Sequence, residues 1–109
     1  MKATLRIKKR YIAFRVVGPE KDMLSDSEVR NGIYEPLLRF FGELGLSTLN
    51  FRFIRYDHRK KAGLLSCERG GVPMLQAALA LVNDICGKKA RIMATGTSGT
   101  ILSLKEKGI

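Results

Sequence analysis

Residues Leu49 to Glu68 read LNFRFIRYDHRKKAGLLSCE, and the arrangement of apolar and polar residues in this stretch decides the fold. Leu49, Phe51 and Phe53 alternate with Asn50, Arg52, Ile54 and Tyr56, so Leu49–Tyr56 reads as a strand with one apolar and one mixed face. Asp57 to Lys61 is a polar turn, and Ala62 to Glu68 returns as a second strand. The two form a hairpin in the middle of the chain.

A helical pattern flanks the hairpin on each side. Upstream, Ser25-Asp26-Ser27-Glu28 has the spacing of a capping box: the Ser25 hydroxyl accepts from the backbone while Glu28 reaches back. Val29, Ile33, Leu37, Phe40, Phe41 and Leu44 follow at helical spacing, and Gly45 offers a stop. Pro36 lacks a backbone donor and its ring crowds the Gly32 carbonyl, which predicts a helix kinked or split near Pro36. Downstream, Gly70-Gly71 breaks the chain. Pro73 then opens a second helix, MLQAALALVNDIC, apolar on nearly every side and ended by Gly87.

Each helix has a further strand beyond it. Arg10–Val17 places Ile12, Phe14 and Val16 on one face and Tyr11, Ala13, Arg15 and Val17 on the other, and Gly18-Pro19 ends it before a charged loop. Lys89–Thr95 alternates in the same way, and Gly96 to Ile101 then leads into a short tail with Leu102 and Leu104. The order β-α-β-β-α-β predicts an α+β, ferredoxin-like or RRM-like sandwich, an antiparallel sheet with helices packed on it. At 109 residues the chain is expected to form one domain: a basic arm over 1–9, a core over 10–101 and a tail over 102–109.

Charge narrows the function classes. Twenty Lys and Arg against ten Asp and Glu give a formal charge of +10. Much of it gathers at strand edges and turns, in Lys8-Lys9-Arg10, Arg59-Lys60-Lys61 and Lys88-Lys89 with Arg91. Basic residues placed on a rigid body, in a chain that is 45% hydrophobic, point to a folded binder of polyanions. A disordered basic tail would carry a continuous charged run. Cys67 and Cys86 form no CxxC pair and sit among apolar residues, so both are expected to be buried, reduced thiols, as in a cytoplasmic protein. The opening MKATLRIKKR has no apolar core of a signal peptide.

Catalytic chemistry is poorly supplied. His58, the one histidine, lies in a charged turn and reads as a surface residue. The carboxylates are scattered, with no pair whose spacing requires a shared site. Gly96-Thr97-Ser98-Gly99-Thr100 has backbone donors for a phosphate, but no Lys-Ser or Lys-Thr closes it and no clear helix follows, so it reads as a structural turn. Acylphosphatases place an arginine in the loop after the first strand; here that loop reads Gly18-Pro19-Glu20. RNA-recognition sheets stack bases on aromatics in their first and third strands, yet Gly63-Leu64-Leu65-Ser66-Cys67 has none. RNA binding here must rest on Arg and Lys meeting phosphate.

Several stretches together resemble the archaeal ribonuclease P protein component 2 family, related to a small eukaryotic subunit of ribonuclease P and MRP. They are Arg10-Tyr11-Ile12, Leu37 through Gly45, Gly63 through Arg69, Ala77 through Val82, Gly87 through Ile92, and Gly96 through Ile101, in this order. Ser66 stands where the family often has a basic residue, and Pro36 and the Gly70-Gly71-Val72-Pro73 helix start also depart from its pattern.

The resemblance implies a subunit of an RNA-based endoribonuclease that removes the 5′ leader of precursor tRNA. The RNA carries the chemistry with magnesium, and the protein has no active site or metal of its own. It further implies pairing with ribonuclease P protein component 3 as a heterotetramer. The candidate RNA contacts are Lys8, Lys9, Arg10, Arg52, Arg55, Lys60, Lys61, Lys88, Lys89 and Arg91, with the arginines favoured for their bidentate grip on phosphate. Gly96, Thr97, Ser98, Gly99, Thr100 and Ile101 are the candidate protein interface, against the alternative that Ile101, Leu102 and Leu104 cover the chain's own core. A general RNA-binding ribosomal or assembly protein, and a ferredoxin-like module binding a protein partner, are the other classes left open.

Overall fold

The computed structural model describes residues 8–18 and 24–106. Most of the expected basic arm, the charged loop after Gly18 and the end of the expected tail lie outside these residues. In chain order the elements are β1 (Lys9–Val17), α1 (Asp26–Leu49), β2 (Arg52–Asp57), β3 (Ala62–Glu68), a 3-10 turn at Arg69–Gly71, α2 (Val72–Ala80), β4 (Asp84–Ile85), β5 (Lys88–Lys89), β6 (Arg91–Ser98) and α3 (Ile101–Glu106).

The four long strands form one antiparallel sheet in the order β2-β3-β1-β6, the expected ferredoxin-like arrangement. One face is covered by α1 and α2. Ile12, Phe14 and Val16 of β1 meet Leu65 and Cys67 of β3, Val29, Ile33 and Leu37 of α1, and Leu75 and Leu79 of α2 in a continuous core. Phe14 is wholly buried and stacks on Tyr56 at 6.1 Å between ring centroids. Fully burying a side chain of this kind contributes about 1.5–3 kcal/mol.

The capping box forms as read. Ser25 Oγ accepts from the Glu28 N–H at 3.2 Å, and Glu28 Oε1 accepts from the Ser25 N–H at 3.0 Å. The interruption expected near Pro36 lies instead at Gly42, whose φ of 71° and ψ of 173° are the only non-helical values inside α1. Pro36 keeps helical backbone angles; a residue without Cβ is the one able to take the left-handed value. Gly45 does not stop the helix either. It runs to Leu49 and ends at Asn50, in the left-handed region, whose N–H reaches the Leu46 and Ser47 carbonyls. Leu49 through Phe51, expected in the second strand, are therefore helix end and link, and β2 begins at Arg52.

A bulge at Ile54 shifts the β2 register between Phe53 and Arg55. It turns Tyr56 into the core beside Phe53, overturning the expected mixed face, and sends Arg55 to the same side as Arg52.

The second helix is shorter than its apolar run predicts. It ends at Ala80, and Asn83-Asp84, poor helix formers, lead into a two-strand hairpin, β4 with β5. Cys86 and Gly87 make its turn, both with positive φ. Ile85 is fully buried against α1 at Gly32, where a Cβ would lie 2.6 Å from an Ile85 methyl. Cys86 is thus exposed rather than buried, while Cys67 lies in the core. Lys88 and Lys89 belong to this hairpin, not to the last strand, and that strand extends through Gly96, Thr97 and Ser98.

The other face of the sheet has its own cover. Past Gly99 and Thr100, the segment read as a tail forms α3, and Leu104 packs on Ala13 and Leu64 with Tyr11 and Ile101 at the margin. Leu104 is 1% exposed and Leu102 67%, so part of the tail does cover the chain's own core.

Candidate nucleic-acid interface

Cross-strand register determines which basic side chains share a surface. Residues paired across an antiparallel sheet point to one face. On the α3 side the rows run Arg52-Ser66-Tyr11-Ser98, then Arg55-Leu64-Ala13-Gly96, then Asp57-Ala62-Arg15-Met93, with Val17 opposite Arg91 at the end. Arg15, Arg52, Arg55 and Arg91 are all exposed there. Four guanidiniums on a rigid sheet, each a planar fork of donors, suit a run of phosphates.

Arg15 was not among the residues singled out from sequence. Its signal was its place in the alternation: it follows Tyr11 and Ala13 on the face that does not enter the main core.

Three of the sequence-predicted arginines, Arg52, Arg55 and Arg91, share this face, as does Lys9 at its far end opposite Glu68, and Lys60 borders it from the β2–β3 turn. Lys61, Lys88 and Lys89 lie at the same end of the sheet but line a shallow cleft on the helical side with Leu24 and Tyr56. Lys88 is drawn to Glu28, with its Nζ 3.4 Å from the carboxylate. The Ser25 backbone N–H, and then Lys88, hold the Glu28 carboxyl below its ordinary value. Lys8, Lys9 and Arg10 stand at the opposite end of the sheet. There the Lys8 carbonyl accepts from the Arg69 N–H at 2.7 Å, and Arg10 donates to the Lys9 carbonyl at 3.0 Å. The predicted set is therefore divided among three places.

Asp57 is an acid within the guanidinium face, and its carboxylate accepts from the Arg59 backbone N–H at 2.9 Å. That bond, with the nearby Lys60 and His58, lowers its pKa and keeps it ionised. Between α3 and the sheet runs a groove of about 800 Å³, with Ala13 and Leu64 in its lining and Arg15, Arg55 and Lys60 beside them. The expected interface segment is split: Gly96, Thr97 and Ser98 pair with β1, Gly99 and Thr100 turn, and Ile101 starts α3.

Burial, and secondarily Glu68, pushes the Cys67 thiol up to about 11, which makes it a poor nucleophile. Among the described residues, no three His, Cys, Asp or Glu side chains are grouped to hold a metal ion. No helix among them is long and apolar enough to cross a membrane.

The sequence profile of the Rpp14/Pop5 family matches residues 10–109. The chain belongs to that family. Among its relatives, ribonuclease P protein component 2 of Pyrococcus abyssi is 43% identical over 95% of this chain and 86% of the relative. The protein of the same name in Methanocaldococcus jannaschii is 38% identical over 95% of this chain and 75% of the relative. A chain in the cryo-EM structure of yeast ribonuclease MRP superposes with a TM-score of 0.66 at 12% identity, covering 94% of this chain and 90% of that one. At that identity the likeness is one of fold. Within the Rpp14/Pop5 family, this member thus presents a sheet face with exposed arginines beside the helix that follows its last strand.

Proposed function

We propose that this chain is the RNA-binding protein subunit of a ribonuclease P, supporting a catalytic RNA in removing the 5′ leader from precursor tRNA. The observation that carries the reading is 43% identity over 95% of the chain to ribonuclease P protein component 2 of Pyrococcus abyssi. The physical character agrees: a charge of +10 and exposed arginines on one sheet face. In this reading the RNA holds the magnesium and does the chemistry. The protein neutralises phosphates that would otherwise repel one another as the RNA folds.

The partner is ribonuclease P protein component 3, paired with this chain as a heterotetramer. The exposed Leu38, Phe40 and Leu44 of α1, with the Gly96–Thr100 part of the predicted segment, are the surface offered to it. Reconstitution tests both parts. This protein, component 3 and the cognate RNA are mixed at limiting magnesium, and 5′-leader cleavage is followed. Faster cleavage only with both proteins present is the expected result. RNA binding without any change in cleavage overturns the reading in favour of a general RNA-binding protein.

A further inference from the structure

The groove under α3 has features that the phosphate-binding face does not require. Thr95 stands where β6 bulges, between Ala94 and Gly96, and lines the groove. Its Oγ1 is buried with no hydrogen-bond partner among the described residues. A hydroxyl withdrawn from water and left unpaired is uncommon, because its desolvation goes uncompensated. The neighbouring lining is apolar, from Ala13, Leu64, Ile101 and Leu104, whereas the rim carries three cations, Arg15, Arg55 and Lys60, and one carboxylate, Asp57. At about 800 Å³ the groove lies within the range of about 300–1,000 Å³ of small-molecule sites.

Its cover is slight. α3 has six residues, too few for a helix to hold its shape alone, and Leu104 and Ile101 are the side chains that pack it on the sheet. A small displacement of α3 widens the groove without disturbing the main core, which lies on the other face of the sheet.

We propose that this groove receives a single unstacked nucleotide of the RNA, a proposal that rests on the RNA-subunit reading. The base enters between α3 and the sheet against Ala13 and Leu64, and its polar edge meets the Thr95 hydroxyl. Its phosphate is held at the rim by Arg15, Arg55 and Lys60. The combination selects a nucleotide over an apolar peptide, since three cations outnumber the Asp57 carboxylate at the entrance and a lone hydroxyl waits inside. It also provides a base contact in a sheet whose third strand has no aromatic ring.

The test follows the methyl resonances of Ala13, Leu64, Ile101 and Leu104 in the intact protein during titration with the cognate ribonuclease P RNA and, separately, with each nucleoside 5′-monophosphate. RNA is expected to shift these methyls, and free monophosphates to do so only weakly. Thr95→Val keeps the shape and removes the hydroxyl. It should raise the melting temperature of the free protein, weaken RNA binding by about five- to tenfold, and leave the salt dependence unchanged. RNA binding that leaves the groove methyls unmoved overturns the nucleotide site while the subunit reading stands. Methyl shifts with a free monophosphate, in a protein that does not bind the RNA, overturn both in favour of a metabolite site. Binding of neither also overturns both.

Discussion

Replacing Arg15, Arg52, Arg55 and Arg91 together by glutamine tests the sheet face as a phosphate-binding surface. The side chains are exposed and on one face, reaching from the edge strand β2 across to β6. Three interstrand gaps of about 4.8 Å make about 14 Å across the strands, and the six-residue offset from the Arg52–Tyr11 row to the Val17–Arg91 row adds about 20 Å along them, enough to engage several phosphates at once. Each phosphate that the protein no longer neutralises lowers the slope of log K against log salt by about 0.7–0.9, so four of them lower it by about 3. Between 50 and 200 mM salt, wild-type affinity should therefore fall by roughly sixtyfold more than that of the variant. Anisotropy of a labelled RNA measures both slopes. Exposed substitutions of this kind usually change stability by no more than about 0.5 kcal/mol each, so a fold check by thermal melting accompanies the assay. Arg30 and Arg39, on α1 in the helical layer, serve as a control: their replacement should change the slope by less than about 1. Parallel salt plots for wild type and the quadruple variant would refute the assignment of this face.

Three further outcomes follow from local geometry. Gly42→Ala should destabilise the protein by about 1–3 kcal/mol in chemical denaturation, because φ of 71° with ψ of 173° is a backbone state open to glycine; a stabilised variant would mean the helix can run straight through. A thiol reagent at pH 8 should modify Cys86 rapidly and Cys67 only on unfolding, since Cys86 is exposed and the Cys67 thiol is buried and raised to about 11; equal rates in the native protein contradict that placement. Glu28→Gln should lower the melting temperature at pH 7. The folded carboxyl is depressed below 4.5, so its contribution is present above the unfolded pKa and is lost as pH falls through the folded one. Melting temperatures of the two proteins should converge once the pH has fallen below the folded pKa of Glu28, and a gap that persists there rules out the charged cap as its source.

The strands that could be read from sequence were those with uninterrupted alternation or with sharp boundaries. Ile12, Phe14 and Val16 announce the buried face of β1, and Ala62–Glu68 was bounded by its turn and by Gly70-Gly71. The capping box located the start of α1 because both partners are local. What stayed hidden depends on packing between segments remote in sequence. Ile85 is apolar in either a helix or a hairpin, and its seat against Gly32 makes the difference. The bulges at Ile54 and Thr95 reassign every later side chain to the opposite face, yet neither residue type announces a bulge. Arg52 and Arg55 consequently share a face that strict alternation denies them. The basic candidates were correct as a class, but the surface linking Arg15 to three of them exists only once the register is known.

The small hairpin is fastened to the first turns of α1 at several levels: Ile85 beneath Gly32, the Cys86 thiol donating to the Glu28 carbonyl at 3.4 Å, and Lys88 beside the Glu28 carboxylate. Positions 32 and 85 therefore draw on one shared volume. A larger residue at 32 is admissible only after a smaller one has arrived at 85, so these two changes have an obligatory order along any path of single substitutions.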